Sequence, residues 1–151
     1  MKAYKYKLKP SAKIIAIFES WLALLCELYN AGLQERRDAY RIKHLSISYT
    51  AQANQLPEIK KDRPEFANIH SQVIQDALRR LDSAFDGFFR RVKEGQKPGY
   101  PRFRSSFRYD SFRYPQSGFS LKNGKLHLSK IGKVKLQLSR PIEGEIKTCM
   151  I

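Results

Sequence analysis

The sequence predicts an α+β fold, a small antiparallel, barrel-like sheet interrupted by an inserted α-helical block. Three observations predict it. Residues 3–9, AYKYKLK, alternate strictly, with Tyr4, Tyr6 and Leu8 on one face and Lys5, Lys7 and Lys9 on the other, the period of a half-buried strand. Apolar seams of helical period then fill residues 11 to 93. Alternation returns around Asn123-Gly124, a pair that supplies the positive φ of a tight hairpin. The first strand needs partners and only the C-terminal strands can supply them, so the helices are an insertion.

Pro10 ends the first strand and Ser11 is placed to cap a helix beginning just after it. Ile14, Phe18, Trp21, Leu22, Leu25 and Leu28 recur at three and four residues as one apolar stripe. Asn30 and Gly32 mark an expected break between two helices, the second running to about Lys43. Ser48 caps a shorter helix through Ala51, Ala53 and Leu56, with Pro57 placed to cut it. Asp62-Arg63-Pro64 is a turn. The clearest helix starts at Asn68 or Ser71 and runs to about Lys93. Its seam is Ile74, Leu78, Leu81, Phe85, Phe88 and Val92, and Asp76, Arg80, Asp82, Asp86 and Arg90 form its outer face. Phe119–Leu121, Lys125–Leu128, Val134–Leu138 and the final EIKTCMI read as strands. An ending on a bare apolar strand suggests a chain cut before a further domain.

The net charge is +15 over 151 residues, and its distribution is uneven. Residues 1–90 carry 15 Lys/Arg against 10 Asp/Glu, whereas residues 91–151 carry 14 against 4, so the last segment supplies +10 of the excess. Such a balance calls for a polyanion. No run of 18 or more apolar residues appears, and Met1-Lys2-Ala3-Tyr4-Lys5 is no signal peptide. The expectation is a cytoplasmic nucleic-acid binder with no membrane partner. Cys26 and Cys149 belong to no CxxC, so neither a zinc site nor a disulfide framework is expected.

Residues 97–116, KPGYPRFRSSFRYDSFRYPQ, concentrate the candidate chemistry. Lys97, Arg102, Arg104, Arg108 and Arg113 face one acid, Asp110, and are interleaved with Tyr100, Phe103, Phe107, Tyr109, Phe112 and Tyr114. Pro98, Gly99, Pro101 and Pro115 keep helix out of both ends. Arginine offers a planar fork to phosphate and an aromatic face stacks on an unpaired base. Arg102, Arg104, Arg108 and Arg113 are therefore candidate phosphate contacts, and Phe103, Tyr109 and Tyr114 candidate stacking platforms, with Phe112 assigned to the core. The alternative is a strand with inward aromatics and merely solvated arginines. Lys5, Lys7 and Lys9 form a second basic face, and Lys122, Lys125, Lys130, Lys133 and Lys135 extend it over the C-terminal strands. Gln72, Gln75 and Ser71 open the long helix with Arg79 one turn on, residue types that read base edges, although ordinary surface amides look the same.

Nothing defensible as catalysis emerges. Asp82 and Asp86 lie one helical turn apart but among arginines, and His44, His70 and His127 lie in different elements. No metal or other cofactor is expected.

With these residues read, the chain resembles the N-terminal region of the TnpB/OrfB family, transposon-associated RNA-guided nucleases ancestral to type V CRISPR effectors. The matching pieces are AYKYKLKPS, LYNAGLQER, SQVIQDALRRLDSAFDGFFRRVKEG, KPGYPRFRSSFRYDSFRYPQ and LSKIGKVKLQLSRPIEGEIKTCMI, covering essentially the whole chain. The resemblance implies a wedge-type β-barrel built from residues 1–9 and 111–151. It also implies a helical recognition lobe over 10–95, in an older reading helix-turn-helix-like, and a basic aromatic linker over 96–110. It implies structured guide RNA and double-stranded DNA as partners, and puts the start of the long helix and Tyr49 near the target-adjacent duplex. Cutting in the family belongs to a following RuvC-like domain. This chain has neither its acids nor a zinc ribbon, so binding without cleavage is expected of it. The alternatives are a helix-turn-helix transposase accessory, for which Gln34, Arg36 and Arg37 after Gly32 would be the readers, and one part of a split endonuclease that needs a missing nuclease domain or chain.

Overall fold

The computed structural model describes residues 1–151. Strand β1 (Lys7–Lys9) leads into α1 (Ala12–Lys43), whose first turn is capped by the Ser11 side chain accepting from the Ile14 N–H. Two short helices come next, α2 (Tyr49–Ala53) and α3 (Leu56–Asp62), then a 3₁₀ turn (Pro64–Asn68) and the long α4 (Ser71–Lys93). Pro57 does not cut a helix. It sits in the first turn of α3, where a missing N–H costs nothing. The chain then runs without regular structure to β2 (Arg113–Tyr114), β3 (Phe119–Lys122), β4 (Lys125–Leu128), β5 (Gly132–Gln137) and β6 (Cys149–Met150).

The expected break at Asn30–Gly32 is absent: α1 is one 32-residue helix. Gly32 serves packing instead. A Cβ there would stand 2.8 Å from Leu81 Cδ2, so the glycine lets α4 press close to the α1 backbone. Without a turn at this point, residues 12–43 are no helix-turn-helix.

The α+β class holds, but the sheet is open, not a closed barrel. Four antiparallel strands lie in the order β1-β5-β4-β3, and β2 pairs with β6 in a separate two-stranded ribbon. Closure would need the edges β1 and β3 to meet. Instead the inner face is covered from the side, with Ile14 of α1 against Gly132 and the Tyr114 ring against Phe119. Asn123 (φ 52°) and Gly124 (φ 70°) turn the β3–β4 hairpin as their sequence predicts.

One continuous core joins helices to sheet. Trp21, Leu25, Leu28 and Leu33 of α1 meet Ile74, Leu78, Leu81 and Phe85 of α4, and the same cluster takes in Phe112, Tyr114, Leu126, Leu128 and Val134. An 18-residue window of α1 reaches a mean hydropathy of 1.4, so this helix is long and apolar enough to cross a membrane by length and composition alone. Glu19 and Glu27 interrupt the run, and its apolar stripe is engaged in the core.

Candidate nucleic-acid interface

The register of the four-stranded sheet decides which side chains share its outer face. Directly paired residues point the same way. Lys9 pairs with Lys135, Lys135 with Lys125, and Lys125 with Lys122. Four exposed lysines thus form one row across all four strands, spanning roughly 14 Å at ordinary strand spacing. Lys133 opposite His127, and Lys7 opposite Gln137, flank the row on the same face. None of these lysines has a carboxylate partner. The basic face expected from Lys7 and Lys9 and its expected extension over Lys122, Lys125, Lys133 and Lys135 are thus one surface, with Lys5 just before it in the chain. Lys5 precedes β1, where Tyr4 and Tyr6 hold residue 140 through side chains: Tyr6 donates to the Arg140 carbonyl (2.8 Å) and the Arg140 guanidinium lies over the Tyr4 ring. Lys130 differs, donating to the Ala67 carbonyl (2.7 Å) and tying the sheet to the helices.

Residues 97–116 are a strap laid back along α4. Arg91 donates to the Gly99 carbonyl, Tyr100 packs edge-on against Phe85 and Phe88, Arg80 donates to the Ser111 carbonyl, and the Gln72 side-chain oxygen accepts from the Ser117 N–H. On the α1 side, the Asn30 amide accepts from the Arg104 N–H and donates to the Arg104 carbonyl, both at 2.8 Å. Cys26, buried as expected, donates its thiol to the same carbonyl (3.3 Å).

This course sorts the expected contacts. Lys97, Arg102, Arg104 and Arg108 are exposed and unpaired with any acid. Arg113 is not free. Its guanidinium binds Asp76 Oδ1 (2.6 Å), while Arg80 binds Oδ2 (3.1 Å). Asp76 does not belong to a solvated outer face: only 1% of it is exposed, and two cations are needed to hold a carboxylate there. Tyr109 and Tyr114 are core rings, 4% and 0% exposed, and cannot present a face to a base. Burial pushes the Tyr109 phenol up to about 12 and raises that of Tyr114, whose hydroxyl donates to the Ser129 carbonyl (2.9 Å). Phe112 is core too. The open rings are Phe103, beneath the Arg37 guanidinium, Tyr100, and above all Phe107, 93% exposed at the tip of the strap. Phe107 is not among the stacking platforms expected from sequence, and no local spacing singles it out, since Phe103 stands four residues before it and Tyr109 two after.

At the start of α4, the His70 ring caps the helix by accepting from the Gln72 N–H (3.3 Å), and burial together with Lys130 lowers its pKa. Gln72 is spent on Ser117, whereas Ser71 is exposed and Gln75 half-buried. Arg79 lies over the Tyr49 ring at 4.4 Å, so these two expected contacts meet each other. Of the helix-turn-helix readers, Arg36 is buried, bonded to Gln52 and Asp82 and stacked on Phe85.

No family model matches the chain. Among curated proteins it is 27% identical over 161 aligned positions to "Putative RNA-guided DNA endonuclease InsQ" of Escherichia coli (strain K12), covering all of this chain and 37% of the relative. It is 29% identical over 145 positions to a "Putative RNA-guided DNA endonuclease" of Streptomyces pristinaespiralis, covering 93% of this chain and 35% of that one. Both relatives are named as RNA-guided DNA endonucleases, which supports the resemblance to the TnpB/OrfB family. The chain spans little more than a third of the length of either relative. The lysine row and the strap lie on separate elements held by one core, so both surfaces are fixed relative to each other by packing.

Proposed function

We propose that this chain grips nucleic acid for a TnpB-type, RNA-guided system, holding structured guide RNA and target-adjacent DNA in the cytoplasm without cutting by itself. The observation that carries the reading is the row Lys9–Lys135–Lys125–Lys122. Like charges in direct cross-strand register destabilise a sheet, and no carboxylate offsets them. A bound polyanion does. Lys5, Lys7 and Lys133 widen this surface, and Lys97, Arg102, Arg104 and Arg108 with Phe103 and Phe107 supply phosphate forks and stacking rings on the strap. Tyr49 and Arg79, in contact with each other, together with Ser71 and Gln75 earlier on α4, are the surface proposed for duplex DNA.

Purification of the chain followed by sequencing of the RNA that accompanies it tests the reading. A defined, structured RNA bound with affinity that falls steeply with salt, by about one log–log unit per phosphate neutralised, is the expected result. Affinity unchanged between low and high salt would remove the electrostatic grip and the proposal with it.

A further inference from the structure

The strap, α4 and β2 enclose a cleft of about 480 Å³. Five arginines line it: Arg79 and Arg80 from α4, Arg104 and Arg108 from the strap, and Arg113 from β2. Against them stand only Asp110 on the rim and Asp76 beneath, which already serves Arg80 and Arg113. Three positive charges are left over.

Two of these guanidiniums, those of Arg79 and Arg104, are held in place without being used up. Arg79 rests on the Tyr49 ring at 4.4 Å and Arg104 on the Tyr29 ring at 5.5 Å. A cation–π contact engages the face of the guanidinium and leaves its in-plane N–H donors free. The Arg104 backbone is fixed by Asn30. Arg80 spends Nε on Asp76 and Nη1 on Ser111, yet its Nη2 is buried with no partner among the protein atoms. A buried donor on a charged group is costly to leave unmade. Two braced forks and a third exposed one around one concave space, with spare charge, match a tetrahedral oxyanion that accepts from several directions.

We infer that this cleft is a discrete phosphate site, which takes a backbone phosphodiester of a bound nucleic-acid strand between Arg79, Arg104 and Arg108. The inference rests on the nucleic-acid reading above and narrows it. The lysine row attracts a polyanion anywhere along its length, whereas the cleft fixes one phosphate and so sets where along the strand the protein sits.

The test uses the full chain, the double variant Arg104→Gln/Arg108→Gln, and Arg90→Gln, an exposed α4 position outside the cleft. Both strap arginines are exposed, and unfolding in chloride verifies that the variants fold. The probes are inorganic phosphate, read by the thermal midpoint against chloride at equal ionic strength, and a single-stranded RNA with hydroxyls at both ends, read by fluorescence anisotropy. Phosphate is expected to raise the midpoint of the wild type and Arg90→Gln but not of the double variant. The double variant should bind the RNA about tenfold or more weakly, as loss of charge-assisted hydrogen bonds implies, with a salt slope lower by about one to two. Loss of the phosphate effect with RNA binding intact overturns the assignment to a strand, because the site then takes only the free anion. If wild type and double variant bind RNA alike and respond alike to phosphate, the cleft assignment falls while the wider reading stands. A wild type that binds no RNA at all sinks both.

Discussion

Asn30 holds Arg104 by both backbone groups, its amide accepting from the N–H and donating to the carbonyl at 2.8 Å each. A single side chain in the middle of α1 therefore acts as the missing strand partner for one residue of the strap. Asn30→Ala should cost about 1–2 kcal/mol of stability and speed hydrogen exchange at the Arg104 amide. Asn30→Asp should recover less than half, since the carboxylate accepts from the N–H but repels the carbonyl. Trypsin cleavage after Arg102 or Arg104 reports the loosening independently.

Asp76 is the buried anion that pins α4 to β2 through Arg80 and Arg113. Asp76→Asn leaves two cations without their charge partner. The expected cost is about 2–3 kcal/mol, the low end for a broken buried pair because Arg113 keeps 37% of its side chain in solvent. Urea unfolding measures it.

The lysine row predicts opposite signs for stability and binding. Lys125→Glu or Lys135→Glu relieves cross-strand repulsion and should stabilise the sheet by about 0.2–1 kcal/mol. The same change should weaken RNA binding and lower the salt slope. A variant that loses both stability and affinity would show that the row is structural.

Rings separate in the same way. Tyr114→Phe loses the bond to Ser129 and should cost about 1 kcal/mol of stability while leaving RNA affinity unchanged. Phe107→Ala touches no core and should leave stability unchanged, but remove about 1–3 kcal/mol of base stacking if a base rests on it. Equilibrium unfolding and anisotropy titration read the two effects side by side.

His70 makes the protein sensitive to mild acid. Its folded pKa is lowered from the ordinary 6.5 by burial and by Lys130, so the unfolded chain takes up the proton first. Stability is full above about pH 6.5 and is lost as pH falls from there through the folded pKa. His70→Asn, a cap that does not titrate, should flatten stability between pH 7 and 5. Gly118→Ala probes the same corner: at φ +90° its Cβ would stand 2.7 Å from His70 Nε2 and 2.9 Å from Tyr114 Cδ1, and a loss of about 1–3 kcal/mol is expected.

Much of the fold is legible where pattern and local chemistry agree. The α4 seam from Ile74 to Phe85, the Ser11 and Ser48 caps and the Asn123-Gly124 hairpin each arise from neighbours within a few residues, whereas Val92, read into the same seam, lies beyond the packed part of the helix and is 51% exposed. The errors share one cause, partners distant in sequence. Gly32 looks like a breaker until Leu81 is seen against it. Asp76 looks solvated until Arg113 arrives, 37 residues on. Tyr109 and Tyr114 alternate with arginines as Phe103 and Phe107 do, and only the docking of the strap on α1 decides which rings are sealed. The lysines are visible one by one. Their row depends on pairing register, which no local pattern states.

That register carries a consequence for how the protein is made. Lys9 leaves the ribosome early, yet its neighbour in the row is Lys135, and β1 has no ladder to join until β5 has emerged. A nascent or unfolded copy holds the same lysines at scattered distances. If the row grips nucleic acid as proposed, that ordered grip exists only once the sheet is finished.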